Sequence, residues 1–257
     1  MITTRELAQY LDGLLEIASV PDYPNAINGL QFENSGRVIK IAACVDFSGQ
    51  TIAAAVAADA DLMLVHHGMF WTGLRAVTGA SYERMRLLLT NDIAVYASHL
   101  PLDRHTTFGN NVLLSKEFGL SSSGDFASFK GRTIGVRGES DIATTDLVAR
   151  AQAFALRHGG SVVTTPVAAG RRTLKWAVCT GSGASAETLQ EAADNGIDTL
   201  IVGEGPHWTA VEAMELRITI IYAGHYATET LGVAALARHL ADRFDLEWTM
   251  VHAPTGL

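Results

Sequence analysis

Cysteine is scarce in this chain, with two residues in 257, Cys44 and Cys179. Both lie in apolar stretches that read as buried strands, so they exclude a disulfide framework and a cysteine metal knuckle. They fit small core residues in a reducing compartment. No uninterrupted apolar run approaches the length needed to cross a bilayer. Met1 to Tyr10 carries charges and no apolar h-region, so no secretory signal is expected and the cytoplasm is the expected location. Cations are in deficit, 19 against 27 acidic residues for a formal net charge of −8. They are also scattered rather than clustered, which argues against a nucleic-acid face. Low-complexity tracts are absent, and 48% hydrophobic with 18% charged residues is the composition of a soluble globular protein.

What the chain does have is a pattern that returns at long period. Lys40-Ile41-Ala42-Ala43-Cys44 is matched by Lys175-Trp176-Ala177-Val178-Cys179. Asp61 to Gly68 is matched by Asp198 to Gly205, and Tyr96-Ala97-Ser98-His99 by Tyr222-Ala223-Gly224-His225. Helices are expected at Gly49 to Ala58 and Tyr82 to Leu89 in the first copy, and at Ala186 to Asn195 in the second. Two copies of a β-α-β-α-β unit predict an α/β fold of two similar domains from an internal duplication, with parallel sheets and right-handed crossovers. The expected division is 1–124 for the first repeat and 125–257 for the second. The second begins with a βαβ connector at about 125–170, and the C-terminal helix can pack back on the first domain. Before the first repeat, Thr3-Thr4-Arg5-Glu6 resembles a capping box opening a helix through Leu15. Pro21 to Gly29, running into Asn28-Gly29-Leu30-Gln31, reads as loop.

The chemistry gathers at the strand ends. Leu62-Met63-Leu64-Val65 suits a buried parallel strand, and it delivers His66, His67 and Gly68. In open α/β sheets the carboxyl ends of strands face the binding crevice. The ligand-type residues at such positions are His66, His67, His99, Asp103, Glu204, His207, His225 and Glu229. Five of these form a coherent two-metal set: His66, His67, Asp103, His225 and Glu229. Imidazole suits zinc, iron, nickel or copper, and carboxylate extends tolerance to manganese and magnesium. Few protein ligands per ion leave positions open, which fits catalysis better than a structural site.

Blander readings stand beside these. His66-His67 alone would be an ordinary loop pair, Asp103 a helix cap, and His225 with Glu229 an exposed i,i+4 pair. Pro101 interrupts a regular helix, so His99 and Asp103 need not converge as His225 and Glu229 do. His99 serves as a hydrogen-bonder behind the ligands or as a proton shuttle, and Glu204 and His207 as site residues or solvated loop. Gly181-Ser182-Gly183-Ala184 is a candidate for a phosphate cradle at a helix N-terminus.

At these residues the sequence resembles the Nif-three-like dinuclear-metal family, whose members are often called GTP cyclohydrolase I type 2 homologues. The carrying segments are Asn28-Gly29-Leu30-Gln31, Leu64-Val65-His66-His67-Gly68, His99-Leu100-Pro101-Leu102-Asp103 with Gly109-Asn110-Asn111, Cys179-Thr180-Gly181-Ser182-Gly183, and Gly224-His225-Tyr226-Ala227-Thr228-Glu229. The resemblance implies two similar α/β domains, a di-metal site between them, and a toroidal homohexamer. It places the metal ligands on His66, His67, Asp103, His225 and Glu229.

The function implied is a metal-dependent hydrolase acting on a nucleotide or related small molecule. Two divalent ions, of zinc, iron or manganese, would activate a water. With GTP as substrate that water would attack C8 of the guanine ring and open the imidazole, and a second water would release formate. His99 and Glu204 are the catalytic candidates, for proton transfer. The alternative is a non-catalytic hexameric metalloprotein scaffold or binding protein. No membrane partner is expected, and the acidic charge counts against nucleic acid.

Overall fold

A computed structural model describes residues 2–257. The chain divides into two compact units, Met1–Leu102 with Gly232–Ala253, and Asp103–Leu231 with Pro254–Leu257. In chain order the elements begin β1 (Ile2–Thr3), α1 (Thr4–Leu14), β2 (Gly29–Phe32), β3 (Arg37–Val38), β4 (Lys40–Asp46), α2 (Gly49–Ala57), β5 (Leu62–His67), α3 (Ala80–Thr90), β6 (Ala94–Ala97) and the single turn α4 (Leu100–Asp103). They continue α5 (Asn110–Glu117), β7 (Gly124–Phe129), β8 (Arg132–Ala143), α6 (Thr144–Arg157), β9 (Val163–Thr164), β10 (Arg172–Cys179), α7 (Ala186–Asp194), β11 (Thr199–Val202), α8 (His207–Glu215), β12 (Thr219–Tyr222), α9 (His225–Thr228), α10 (Thr230–Phe244) and β13 (Glu247–Met250).

The first unit is built on a five-stranded sheet of order β13-β4-β5-β6-β2. Its four strands β13, β4, β5 and β6 are parallel, and β2 closes the edge antiparallel to β6. β5 is buried along its whole length, as a strand covered on both faces must be. Ala42, Cys44, Met63, Val65 and Val95 pack with Ile52 and Ala55 of α2 and Leu88 of α3. The residues that start the elements are local and polar. Thr3 and Glu6 make the capping box of α1, and Ser48 and Thr51 cap α2. The Asp61 carboxylate accepts the N–H groups of Ile39 and Lys40 at 2.7 and 3.0 Å, which anchors the start of β5 beside β4.

The second unit repeats that frame inside a six-stranded sheet of order β7-β8-β10-β11-β12-β9. β10, β11 and β12 are parallel. α7 is capped by Ser185 and Thr188. The Asp198 carboxylate accepts the N–H groups of Leu174 and Lys175 at 2.9 and 2.8 Å, as Asp61 does in the first unit. One set of core residues, including Leu189 of α7 and Ala213 of α8, packs with Ala177, Leu200 and Ile220. A separate set joins Leu114 of α5 and Phe154 of α6 to Trp176, Val178 and Ile201.

In the second sheet parallel pairing is confined to the centre, whereas in the first it reaches the edge strand β13. β8 runs antiparallel to β10, β7 antiparallel to β8, and β9 antiparallel to β12. The β7–β8 hairpin turns at Lys130 and Gly131, both with positive φ (48° and 80°), the conformation a tight two-residue hairpin demands. The segment 125–170 therefore adds antiparallel strands, and Gly29-Leu30-Gln31 is strand rather than loop. Both departures have one cause. The strands concerned lie at or next to a sheet edge, and their mixed burial leaves no continuous apolar run to read.

The sequence match of β6 with β12 is one residue out. Val65 pairs with Ala97 and Val202 pairs with Tyr222, so Ala97 corresponds to Tyr222, not to Ala223. Aligning the two tyrosines by identity shifts the copy, and a one-residue shift exchanges the two faces of a strand. Both cysteines are buried. Burial pushes each thiol up to about 12, so they stay protonated core residues. Among the described residues no helix is long and apolar enough to cross a membrane.

Candidate metal centre

In the first unit β5 ends on His66 and His67, and β6 leads through Ser98 to His99. All three imidazoles are buried, at 1, 6 and 7% exposure. Their ring centroids lie 4.9 Å (His66–His67), 4.9 Å (His66–His99) and 5.6 Å (His67–His99) apart. One ligand atom from each lies within 4.8 Å of the others, close enough for a common metal ion.

Each ring is held from behind. His66 Nδ1 meets the Ser98 carbonyl oxygen at 2.9 Å. A carbonyl only accepts, so Nδ1 carries the proton and donates. His67 Nδ1 meets Asp46 Oδ1 at 2.8 Å, and His99 Nδ1 meets Asp22 Oδ1 at 2.9 Å. A proton fixed on Nδ1 leaves the lone pair of a neutral ring on Nε2, the state and orientation that a metal-ligating histidine needs.

Asp22 is itself braced by Asn28 Nδ2 at 2.8 Å and the Leu100 N–H at 3.0 Å, while Asn28 Oδ1 accepts the His99 N–H at 2.7 Å. Burial pushes the Asp22 carboxyl up, but the hydrogen bonds from His99, Asn28 and the Tyr23 N–H outweigh it and hold the group below the usual carboxylate range. The Trp71 ring packs 4.4 Å from His67 and 4.6 Å from His99.

In the second unit Glu204 and Glu229 both meet His225, and Asp103 lies against Asn110, Asn111 and Thr180. Asp103, at the end of α4, accepts a hydrogen bond from Asn110 Nδ2 at 2.8 Å, and its backbone oxygen accepts from Asn111 at 3.2 Å. It does not cap α5, whose N-cap is Gly109. Pro101 stands within the first turn of α4, where a missing N–H costs nothing.

His225 opens α9 and Glu229 closes it, so the i,i+4 pair meets at 3.1 Å through His225 Nε2 and Glu229 Oε2. His225 Nδ1 is 2.8 Å from Glu204 Oε1, and Ser182 Oγ donates to the same carboxylate at 3.0 Å. That bond from His225 holds the Glu204 carboxyl below the usual range. Burial alone would lower the pKa of His225, but the hydrogen bonds and charges of Glu229 and Glu204 raise it to about 10.

Two glycines make room for this set. A Cβ on Gly181 would fall 2.1 Å from Glu229 Oε1, and Gly181 has φ +61°. A Cβ on Gly203 would fall 2.8 Å from the His225 Cα. The Gly181 loop thus serves close packing against Glu229, while the N-terminus of α7 is satisfied by its own cap. His207, at the start of α8, is exposed and does not join the set.

Asp22, Asp46, Asn28 and Trp71 were not legible as site residues in the sequence. Asp46 left a signal, because it ends β4 directly opposite His67 in the parallel ladder. Asp22 left none, since it lies in a loop 77 residues from the histidine it holds.

Parallel-centred sheets that end in imidazoles and carboxylates define a class, the α/β proteins with donor sets able to hold metal. Within it the chain belongs to the DUF34/NIF3 family (NGG1p interacting factor 3), matched over residues 2–255. It is 39% identical to the GTP cyclohydrolase 1 type 2 homolog of Deinococcus radiodurans, over 98% of this chain and 94% of the relative. Among solved structures it is similar to protein ybgI, of unknown function, with a TM-score of 0.89, 32% identity and complete coverage of both chains. A protein of Thermus thermophilus, TTHA1606, matches with a TM-score of 0.85 and 32% identity, also over the whole of both chains.

Proposed function

We propose that this protein holds two divalent metal ions through His66, His67, Asp103, His225 and Glu229, and hydrolyses a nucleotide or related small molecule. One observation carries the reading. His66, His67 and His225 each have Nδ1 engaged by a backbone carbonyl or a carboxylate, at 2.9, 2.8 and 2.8 Å, the bracing that ligating histidines require. The donors also fit the ions. Imidazole nitrogens with two carboxylates suit zinc, iron or manganese. When bound, such ions supply Lewis acidity and lower the pKa of a coordinated water.

The chain's own residues do the rest. Asp46 orients His67, and Glu204 orients His225. His99, paired with Asp22 at 2.9 Å, exchanges a proton with the reacting molecule, and Asp22 fixes the ring and offsets its charge. Glu204, besides orienting His225, is the second proton-transfer candidate. GTP is the candidate substrate, on the strength of the name borne by the Deinococcus relative. A toroidal homohexamer in the cytoplasm belongs to the same reading, and mass photometry would give six chain masses.

The test loads metal-stripped protein with zinc, iron or manganese, then measures bound metal and turnover of GTP and phosphodiesters. Glu229→Ala is expected to lose metal and turnover together. Turnover by metal-free protein would overturn the hydrolase. Bound metal with no turnover of any substrate would favour the scaffold.

A further inference from the structure

A cavity of about 120 Å³ in the first unit lies outside the histidine set, and its lining is chemically two-sided. Phe47, Met69, Phe70 and Met85 form an apolar wall, and Arg75 and Arg84 border it. The Arg84 guanidinium stands 6.0 Å from the centre of the Phe47 ring and donates to Ser81 Oγ at 3.3 Å. Neither Arg75 nor Arg84 meets a carboxylate among the described residues, whereas Arg5, Arg86, Arg157 and Arg172 each do. Two uncompensated guanidiniums beside an apolar cavity suit an anion joined to a ring. Guanidinium binds phosphate through paired N–H donors, while phenyl rings and thioethers take a flat aromatic face. The volume is below that of a pocket enclosing a whole drug-sized ligand, so it accommodates one ring and leaves the remainder at the mouth.

The cavity shares its frame with the histidines. Phe47 follows Asp46, and its N–H donates to the His67 carbonyl at 3.0 Å. Met69 follows Gly68, and its N–H donates to Gln31 Oε1 at 2.7 Å. Trp71, in the same loop, packs on His67 and His99.

We propose that this cavity is a nucleoside monophosphate subsite, with the base against the Phe47–Phe70 wall and the phosphate on Arg75 and Arg84. It would be the recognition side of the hydrolase proposed above and to that extent rests on that reading, but binding here needs no metal.

Calorimetry on metal-stripped full-length protein therefore separates the two, with GMP, guanosine and inorganic phosphate as probes. GMP is expected to bind, with guanosine and phosphate each weaker by at least ~10-fold. The double variant Arg75→Ala/Arg84→Ala is expected to weaken GMP binding by ~10–100-fold at an unchanged melting temperature. Arg84→Lys, which keeps the charge and loses the paired donors, should fall between, and it replaces the double variant if that fails to fold. Undetectable GMP binding, inorganic phosphate binding as tightly as GMP, or undiminished binding in the arginine variants would each overturn the subsite. GMP binding that needs both arginines, in a protein that turns nothing over once loaded with metal, would sink the hydrolase and leave the subsite standing.

Discussion

The two β-α-β-α-β frames share their carpentry and differ in their chemistry. Asp61 and Asp198 each tie two N–H groups beside the start of a central strand, and Ser–Thr boxes cap α2 and α7 alike. At the strand ends the roles of acid and base are exchanged. In the first unit His67 ends β5 and is held by Asp46, at the end of β4. In the second, Glu204 occupies the place of His67, six residues after the anchoring aspartate in both copies, and it holds a histidine that follows β12. Ser48 follows Cys44 by four positions, but Ser185 follows Cys179 by six. The longer loop carries Gly181, against which Glu229 packs. A sheet with capped helices can be copied without its donor side chains, because hooks and caps act within a few residues while donor geometry depends on the strand ends.

The sharpest way to break the comparison is Gly181→Ala. The added methyl meets Glu229 Oε1 at 2.1 Å on backbone with φ +61°, so overpacking of about 1–3 kcal/mol is expected, with metal content falling toward that of Glu229→Ala. Gly49→Ala, where a Cβ has nothing within 4 Å, should leave both unchanged. Calorimetry and elemental analysis of the two variants check this, and equal behaviour would mean the long loop has no special role.

Next in size are Asp46→Asn and Glu204→Gln, which keep shape and remove the charge behind His67 and His225. Each should weaken metal binding by roughly 10–100-fold, read by competition with a chelating dye. An effect from only one of them would show that the exchanged acid and base are not equivalent.

The smallest effect is on pH. His225 is raised from 6.5 to about 10, so its favourable contribution is fully present below about pH 6.5 and is lost as pH rises through 10. Metal-free protein should therefore melt progressively lower across that window, and less so in Glu204→Gln. Metal binding through His225 should release a proton and strengthen with pH over the same range. A melting temperature flat from pH 6.5 to 10 would contradict the assignment.

Much of the fold was legible because its signals are local. Thr3 with Glu6 announced α1, and the run Leu62 to Val65 announced β5. The donor side chains were legible as well, since adjacent histidines after an apolar run, and a histidine four residues before a glutamate, are contiguous patterns. Less legible were the antiparallel edges β2 and β7, and the register by which β12 corresponds to β6, where identical tyrosines misled the match. Asp22 was hidden, because it meets His99 only after the chain folds across 77 residues.

Residue order alone says which side chains carry imidazole and carboxylate, and that strand ends present them. Which oxygen faces each Nδ1 is set by packing: Ser98 for His66, Asp46 for His67, Asp22 for His99 and Glu204 for His225. The reason is physical. A ring nitrogen's proton settles toward whichever acceptor packing brings within about 3 Å, and packing joins residues that no local pattern connects.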